Sequence, residues 1–143
     1  MRAVLQRVNG ASVSVAGEQI SGFTSKGIMV LLGITDSDTD VEVEFIARKI
    51  ADLRIMDDEK SVLDLGLPVM VISQFTLYGD ARKGRRPTWI KAAKGDIAEP
   101  LVAKVVLALQ NMGIEVHEGR FGADMQVSIV NDGPFTILLD TDK

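Results

Sequence analysis

The sequence predicts a single α+β domain, residues 1–143, built as a mainly antiparallel β-sheet or open barrel with two main α-helices. Three observations carry this expectation. Apolar residues alternate or run continuously over short stretches at both ends of the chain and in its middle, which is the pattern of strands. Only two stretches, near 40–53 and 96–112, place apolar residues at helical spacing. No repeat, low-complexity run or linker divides the chain, and 143 residues suffice for one core without covalent staples.

The elements follow in order. Ala3, Leu5, Val8, Val13 and Val15 alternate with polar residues, which predicts one or two strands broken near Asn9-Gly10. Ala16-Gly17-Glu18 is turn chemistry, and a short strand through Ile20 to Phe23 closes a hairpin. Ile28 to Ile34 (IMVLLGI) is continuously apolar and predicts a strand covered on both faces. Thr39 and Glu42 have the spacing of a capping box, and Val43, Ile46, Ala47, Ile50 and Leu53 then recur on one face, predicting a helix from about Asp40 to Leu53. Arg54 to Met56 is expected as a short strand before the acidic turn Asp57-Asp58-Glu59. Pro68 to Ile72 predicts another buried strand. Asp96, with Glu99 three residues on and Pro100 in the first turn, is expected to cap a second helix with the stripe Leu101, Val105, Ala108, Leu109 and Met112, stopped by Gly113. Ile114 to His117 is short and extended, Gly119 to Asp124 is a loop, and Met125–Val130 and Phe135–Asp140 read as two strands around Asn131-Asp132-Gly133-Pro134.

Composition narrows the chemistry. There is no cysteine, so disulfides and thiolate metal sites are excluded, and a single histidine, His117, excludes multi-histidine metal sites. No metal or other cofactor is expected. The opening MRAVLQRVNG lacks the pattern of a signal peptide and no run reaches the length of a membrane span, so a cytoplasmic protein without membrane contact is expected. Net charge is −4, yet residues 81–95 (ARKGRRPTWIKAAKG) hold six cations and no acid. A basic island on an acidic body suits a local phosphate contact, and also describes an ordinary solvated loop. The island includes Arg82, Lys83, Arg85, Arg86 and the sole tryptophan, Trp89, which either stacks on a base or anchors the loop to the core.

Two stretches stand out as candidate sites. In LPVMVISQFTLYGD the apolar strand turns polar at Ser73, Gln74 and, past Phe75, at Thr76. A buried hydroxyl or amide without a partner costs about 1–3 kcal/mol, so three of them at a strand end mark either loop-satisfying groups or a pocket. In Asn131-Asp132-Gly133-Pro134 the proline belongs at a sheet edge or bulge, and a Gly-Pro pair presents carbonyl oxygens with little side chain. Acid–base machinery is sparse. There is no G-x-S-x-G elbow, P-loop or G-x-G-x-x-G, and a triad has only His117 to use. Thr76 and Thr136 would need an activator that the sequence does not show.

Across nearly its whole length the chain resembles the D-aminoacyl-tRNA deacylase family. MRAVLQRV, GIMVLLGI, KGRRP (Lys83–Pro87) and RFGADMQVSIVNDGP (Arg120–Pro134) follow the family pattern in order, and both signature motifs, S-Q-x-x-L at Ser73–Leu77 and G-P-x-T at Gly133–Thr136, are intact. The resemblance implies hydrolysis of the ester joining a D-amino acid, or glycine, to the terminal adenosine of tRNA. It implies a homodimer with sites at the subunit interface. Ser73, Gln74, Phe75 and Thr76 would form the catalytic wall. Gly133 and Pro134, cis in the family, would reach in from the other subunit and exclude L side chains, supported by Arg7 and Thr136. Arg82, Lys83, Arg85, Arg86 and Trp89 would meet the tRNA. The family mechanism leans on the ribose 2′-hydroxyl and on main-chain amides, with Thr76 as a rival nucleophile. Two other readings remain: a non-catalytic tRNA- or DNA-binding module built on the basic island, and a small esterase pairing a Thr or Ser with His117.

Overall fold

The computed structural model describes residues 1–142 and shows one α+β unit with a five-stranded sheet and three helices. The strands are β1 (Arg2–Val15), β2 (Glu18–Gly33), β3 (Val69–Ser73), β4 (Val116–Glu118) and β5 (Met125–Asp140), in the order β4-β3-β2-β1-β5. The helices are α1 (Asp40–Asp52), α2 (Val62–Leu65) and α3 (Gly95–Asn111).

The sheet is mixed: its two long pairings are antiparallel, as expected, and its two short ones are parallel. β1 pairs antiparallel with β2 and β5, whereas β2–β3 and β3–β4 are parallel. The reason is connection: α1 lies between β2 and β3, and α3 between β3 and β4, so each helix returns the chain to the end from which it left. Expecting sequence neighbours to pair antiparallel ignored these two crossovers. The pairing order runs from β4 to β5 as an open series.

Apolar periodicity assigns the two faces. Ala3, Leu5, Ile28, Val30, Leu32, Val69 and Val71 pack with Val43, Ile46 and Ile50 of α1 and Leu101, Val105 and Leu109 of α3. The opposite face collects Val8, Val13, Met29, Met70 and Ile72, with Met125 and Val127 of β5 packed against them. β5 is three strands from β3 in the order, so this second cluster requires a strongly curled sheet. Curling is helped where β1 bulges between Asn9 and Ala11, with Gly10 at φ +101°, so that the predicted break is a bulge inside one strand. The predicted strands at 20–23 and 28–34 likewise merge into β2. Gly27 within it lies where a Cβ would collide with the Pro68 carbonyl oxygen, and the Phe23 ring sits only 2.9 Å from the same point.

Local signals decide helix ends. The Thr39–Glu42 capping box is formed in both directions, with the Thr39 amide donating to Glu42 at 2.7 Å. A second box, Ser61 with Asp64, starts the short α2, which periodicity missed because the helix is only one turn long. α3 begins at Gly95 with Lys94 as its N-cap and no side-chain cap, so the expected Asp96–Glu99 box does not form. Asp96 lies inside the first turn, where its charge still suits the helix dipole. Arg54–Met56 is not a strand; Met56 makes only an isolated bridge to Lys60 across the acidic turn. No helix among the described residues is long and apolar enough to cross a membrane.

Candidate active site at the end of β3

β3 is buried until Ile72, and the chain then leaves the sheet. The Gln74 amide still donates to Leu32 O at 2.8 Å, extending the ladder by one bond. Phe75–Tyr78 then tightens into a 3-10 turn, closed by Gly79 N donating to Thr76 O at 2.9 Å. Neighbouring Gly33 allows this turn to approach, since a Cβ there would sit 3.0 Å from Leu77 Cβ and 3.1 Å from Gln74 O.

Where β3 ends, a cavity of about 480 Å³ opens. Ser73, Gln74 and Phe75 form one wall, Ile34, Ala93 and Ala98 a second, and Phe121 to Met125 a third. The third wall was missed as a site because Gly119 to Asp124 reads as a plain loop, although Asp124 brings a carboxylate to the cavity. Its one signal was the unbroken RFGAD match ahead of a strand. The cavity is mixed in character, with Ser73, Gln74 and Asp124 among its polar lining residues and Ile34, Ile72 and Val127 among its apolar ones. That suits a ligand with one apolar and one hydrogen-bonding surface.

Thr76 does not line this cavity. It is exposed, and its hydroxyl oxygen accepts from the Gln74 side-chain amide at 2.5 Å. His117 is elsewhere, on β4, where its ring lies 5.3 Å from Phe23 and Nε2 is 2.8 Å from the Glu115 carboxylate. The histidine therefore pairs with an acid and an aromatic ring, and the esterase triad built on it does not assemble.

The second candidate stretch is organised quite differently. β5 is continuous from Met125 to Asp140, but it pairs Asn131 with Val8 and Thr136 with Gln6. Residues 132–135 therefore swell out opposite the single residue Arg7, on an edge strand, as the proline implied. The Gly133–Pro134 peptide bond is cis. Gln6 clamps the neck of this bulge: its side chain donates to Asn131 and accepts from Thr136 Oγ1 at 2.9 Å. Arg7 fills it from beneath, donating to Asp132 O at 3.0 Å and to Ile55 O at 3.1 Å, pairing with the Asp132 carboxylate at 3.3 Å, and lying 4.5 Å from the Phe135 ring centre. Lys26 adds a second cation, 2.6 Å from Asp57 and 3.7 Å from Asp132. Gly133, Pro134, Arg7 and Thr136 do not line this cavity.

The basic island forms a loop pinched at its base by paired hydrogen bonds between Asp80 and Thr88, at 2.9 and 3.0 Å. Arg82 is engaged by Asp80 through two side-chain hydrogen bonds of 2.9 and 2.6 Å, and this pairing holds the Asp80 carboxyl well below the usual carboxylate range. Lys83, Arg85 and Arg86 are exposed, so the loop presents these three while Arg82 is partly spent. Trp89 meets Phe75 edge-on, which places the loop's root beside the cavity wall.

Comparison with known proteins bears on this geometry. Residues 4–140 match the family model described as D-Tyr-tRNA(Tyr) deacylase. A protein of Streptomyces coelicolor named D-aminoacyl-tRNA deacylase is 58% identical over 98% of this chain and 99% of its own length. A protein of the same name from Kineococcus radiotolerans is 57% identical over the same shares. Among solved structures, one named c-Myc DNA Unwinding Element Binding Protein superposes with TM-score 0.91 at 43% identity, covering 99% of both chains. Another, reported as "a probable eukaryotic D-amino acid tRNA deacylase", superposes with TM-score 0.83 at 16% identity over 96% of this chain and 97% of that one, and shows the shared fold.

The family match and the relatives define a hydrolase acting on ester bonds. More narrowly, the chain belongs to the D-aminoacyl-tRNA deacylase family, whose substrate is an aminoacylated tRNA.

Proposed function

We propose that the protein removes D-amino acids, and glycine, from tRNA in the cytoplasm, and that it rejects L-amino acids by steric exclusion. The observation that carries the reading is the cavity beside Ser73, Gln74 and Phe75, whose lining holds one carboxylate, Asp124, and no histidine. Such a site holds an ester well and lacks a histidine to act as its base. The terminal ribose 2′-hydroxyl makes up for this by orienting water at the ester carbonyl, while main-chain amides hold the carbonyl oxygen. Water adds to the carbonyl carbon, the bond to the ribose oxygen breaks, and that oxygen takes the proton. Thr76 shapes the turn rather than attacking.

Selection rests on the 132–135 bulge. We read the protein as a homodimer in which the Gly133 and Pro134 carbonyls of one subunit enter the other's cavity. Two features support this: the bulge projects from an edge strand, and exposed Val130 and Leu138 flank it on β5. Arg7, with Gln6 and Thr136, keeps the bulge in shape. Because exclusion needs no matching pocket, varied D side chains are tolerated. Lys83, Arg85, Arg86 and Trp89 meet acceptor-stem phosphates and bases, with Arg82 contributing less.

A second reading, a nucleic-acid-binding module without turnover, is favoured by one observation. The structure at 43% identity is named for binding a DNA unwinding element. Measuring release of D-tyrosine from D-tyrosyl-tRNA, alongside binding of the same tRNA and of duplex DNA, separates the two. Turnover supports the deacylase reading; binding without turnover supports the module.

A further inference from the structure

Trp89 sits at a junction that its expected contact with tRNA does not explain. A Cβ on Gly79 would fall 2.5 Å from Trp89 Cζ3 and 3.0 Å from Cε3, so the indole lies directly on bare backbone at the end of the 3-10 turn. The same indole meets Phe75 with ring centres 5.6 Å apart and planes inclined at 75°, the edge-to-face arrangement aromatic pairs favour. Phe75 lines the cavity and Trp89 does not. Flanking backbone fixes the indole's position. Thr88 is paired with Asp80 on one side. On the other, Ala92 N donates to Trp89 O at 3.0 Å, Ala93 N to Ile34 O at 2.9 Å, and Thr35 Oγ1 to Lys91 O at 2.6 Å. Ile34 and Ala93 also line the cavity. The root of the basic loop is thus tied to two walls of the site at once.

We propose that Trp89 is a positioning residue: it holds Phe75 in place against the cavity and couples that wall to the basic loop, so that a phosphate-bearing strand on the loop also sets the pocket. The proposal rests on the deacylase reading for its kinetic consequence, but not for its geometry. A tryptophan that only stacks on nucleic acid would affect affinity for tRNA. One that positions Phe75 affects the reaction even when no acceptor stem is present.

The test compares W89A, W89F and G79A with wild type on two substrates: D-tyrosyl-tRNA and the D-tyrosyl ester of adenosine, which has no stem. Single-turnover rates are measured at saturating enzyme. W89A and G79A are expected to slow both substrates by roughly five- to tenfold, and W89F to restore most of the rate. Saturated rates equal to wild type, with only the KM for tRNA raised, would overturn the proposal. Because Trp89 is the only tryptophan, its emission reports the junction directly. G79A is expected to shift the emission without any ligand, and an unshifted spectrum would also count against the proposal. If wild type cleaves neither ester, the deacylase reading fails, and the emission of G79A still decides whether the indole rests on Gly79.

Discussion

The side-chain amide of Gln74 donates a 2.5 Å hydrogen bond to the hydroxyl oxygen of Thr76. An amide cannot accept the proton that a hydroxyl must lose to become a nucleophile, and the bond occupies a lone pair on the oxygen. Thr76→Ala is therefore expected to keep activity within about tenfold of wild type in single-turnover hydrolysis. A loss of several orders of magnitude would restore Thr76 as the attacking group.

Arg7 is the one residue of β1 opposite the four-residue bulge of β5, and it contacts Asp132 and Phe135 as well as Ile55. Arg7→Ala should loosen the bulge and lower the ratio of D- to L-tyrosyl-tRNA hydrolysis by about tenfold or more, equivalent to roughly 1.4 kcal/mol. Unchanged discrimination would remove the bulge from the selection argument.

Gly27 has no room for a side chain: the Pro68 carbonyl occupies the place of its Cβ, and backbone there is held by Ile28 N donating to Pro68 O at 3.2 Å. Gly27→Ala should destabilise the fold by about 1–3 kcal/mol, read from urea denaturation. A change under about 0.5 kcal/mol, the range of neutral surface substitutions, would show that β2 and β3 can separate freely here.

Arg85 and Arg86 are exposed on the loop. Neutralising both should weaken tRNA binding and reduce the slope of log affinity against log salt by about 1.5, because each lost phosphate contact removes roughly 0.7–0.9. An unchanged slope would place the nucleic acid elsewhere.

Several carboxylates are held below their ordinary range: Glu42 by the Thr39 hydroxyl and amide, Asp57 by Lys26, Asp64 by the Ser61 amide and hydroxyl, and Asp80 by Arg82. A depressed folded-state value means each contributes stability above the unfolded value, near 4, and loses it as pH falls through the lower folded value. Melting temperature should therefore fall on acidification below about pH 4, and E42Q should show a shallower fall than wild type. Parallel curves for the two would contradict the assignment to the capping box.

Much of this arrangement was legible in the sequence where physics is local. Thr39 and Glu42 announced α1 because a capping box is satisfied within four residues. The polar turn after Ile72 and the proline at 134 each flagged a real departure from the ladder. What was not legible depends on distant partners. Whether β3 runs parallel to β2 is decided by the side on which α1 returns, and Asn9-Gly10 reads alike as a strand break or a bulge. The wall formed by Phe121 to Met125 required tertiary placement before it could be seen.

The most direct test of the central claim is hydrolysis of tRNA charged with D-tyrosine and, separately, with L-tyrosine, at equal enzyme and with chelator present. Rapid loss of the D ester and persistence of the L ester are expected. Loss of both would leave an esterase without its filter, and loss of neither, with tRNA still bound, would contradict the account.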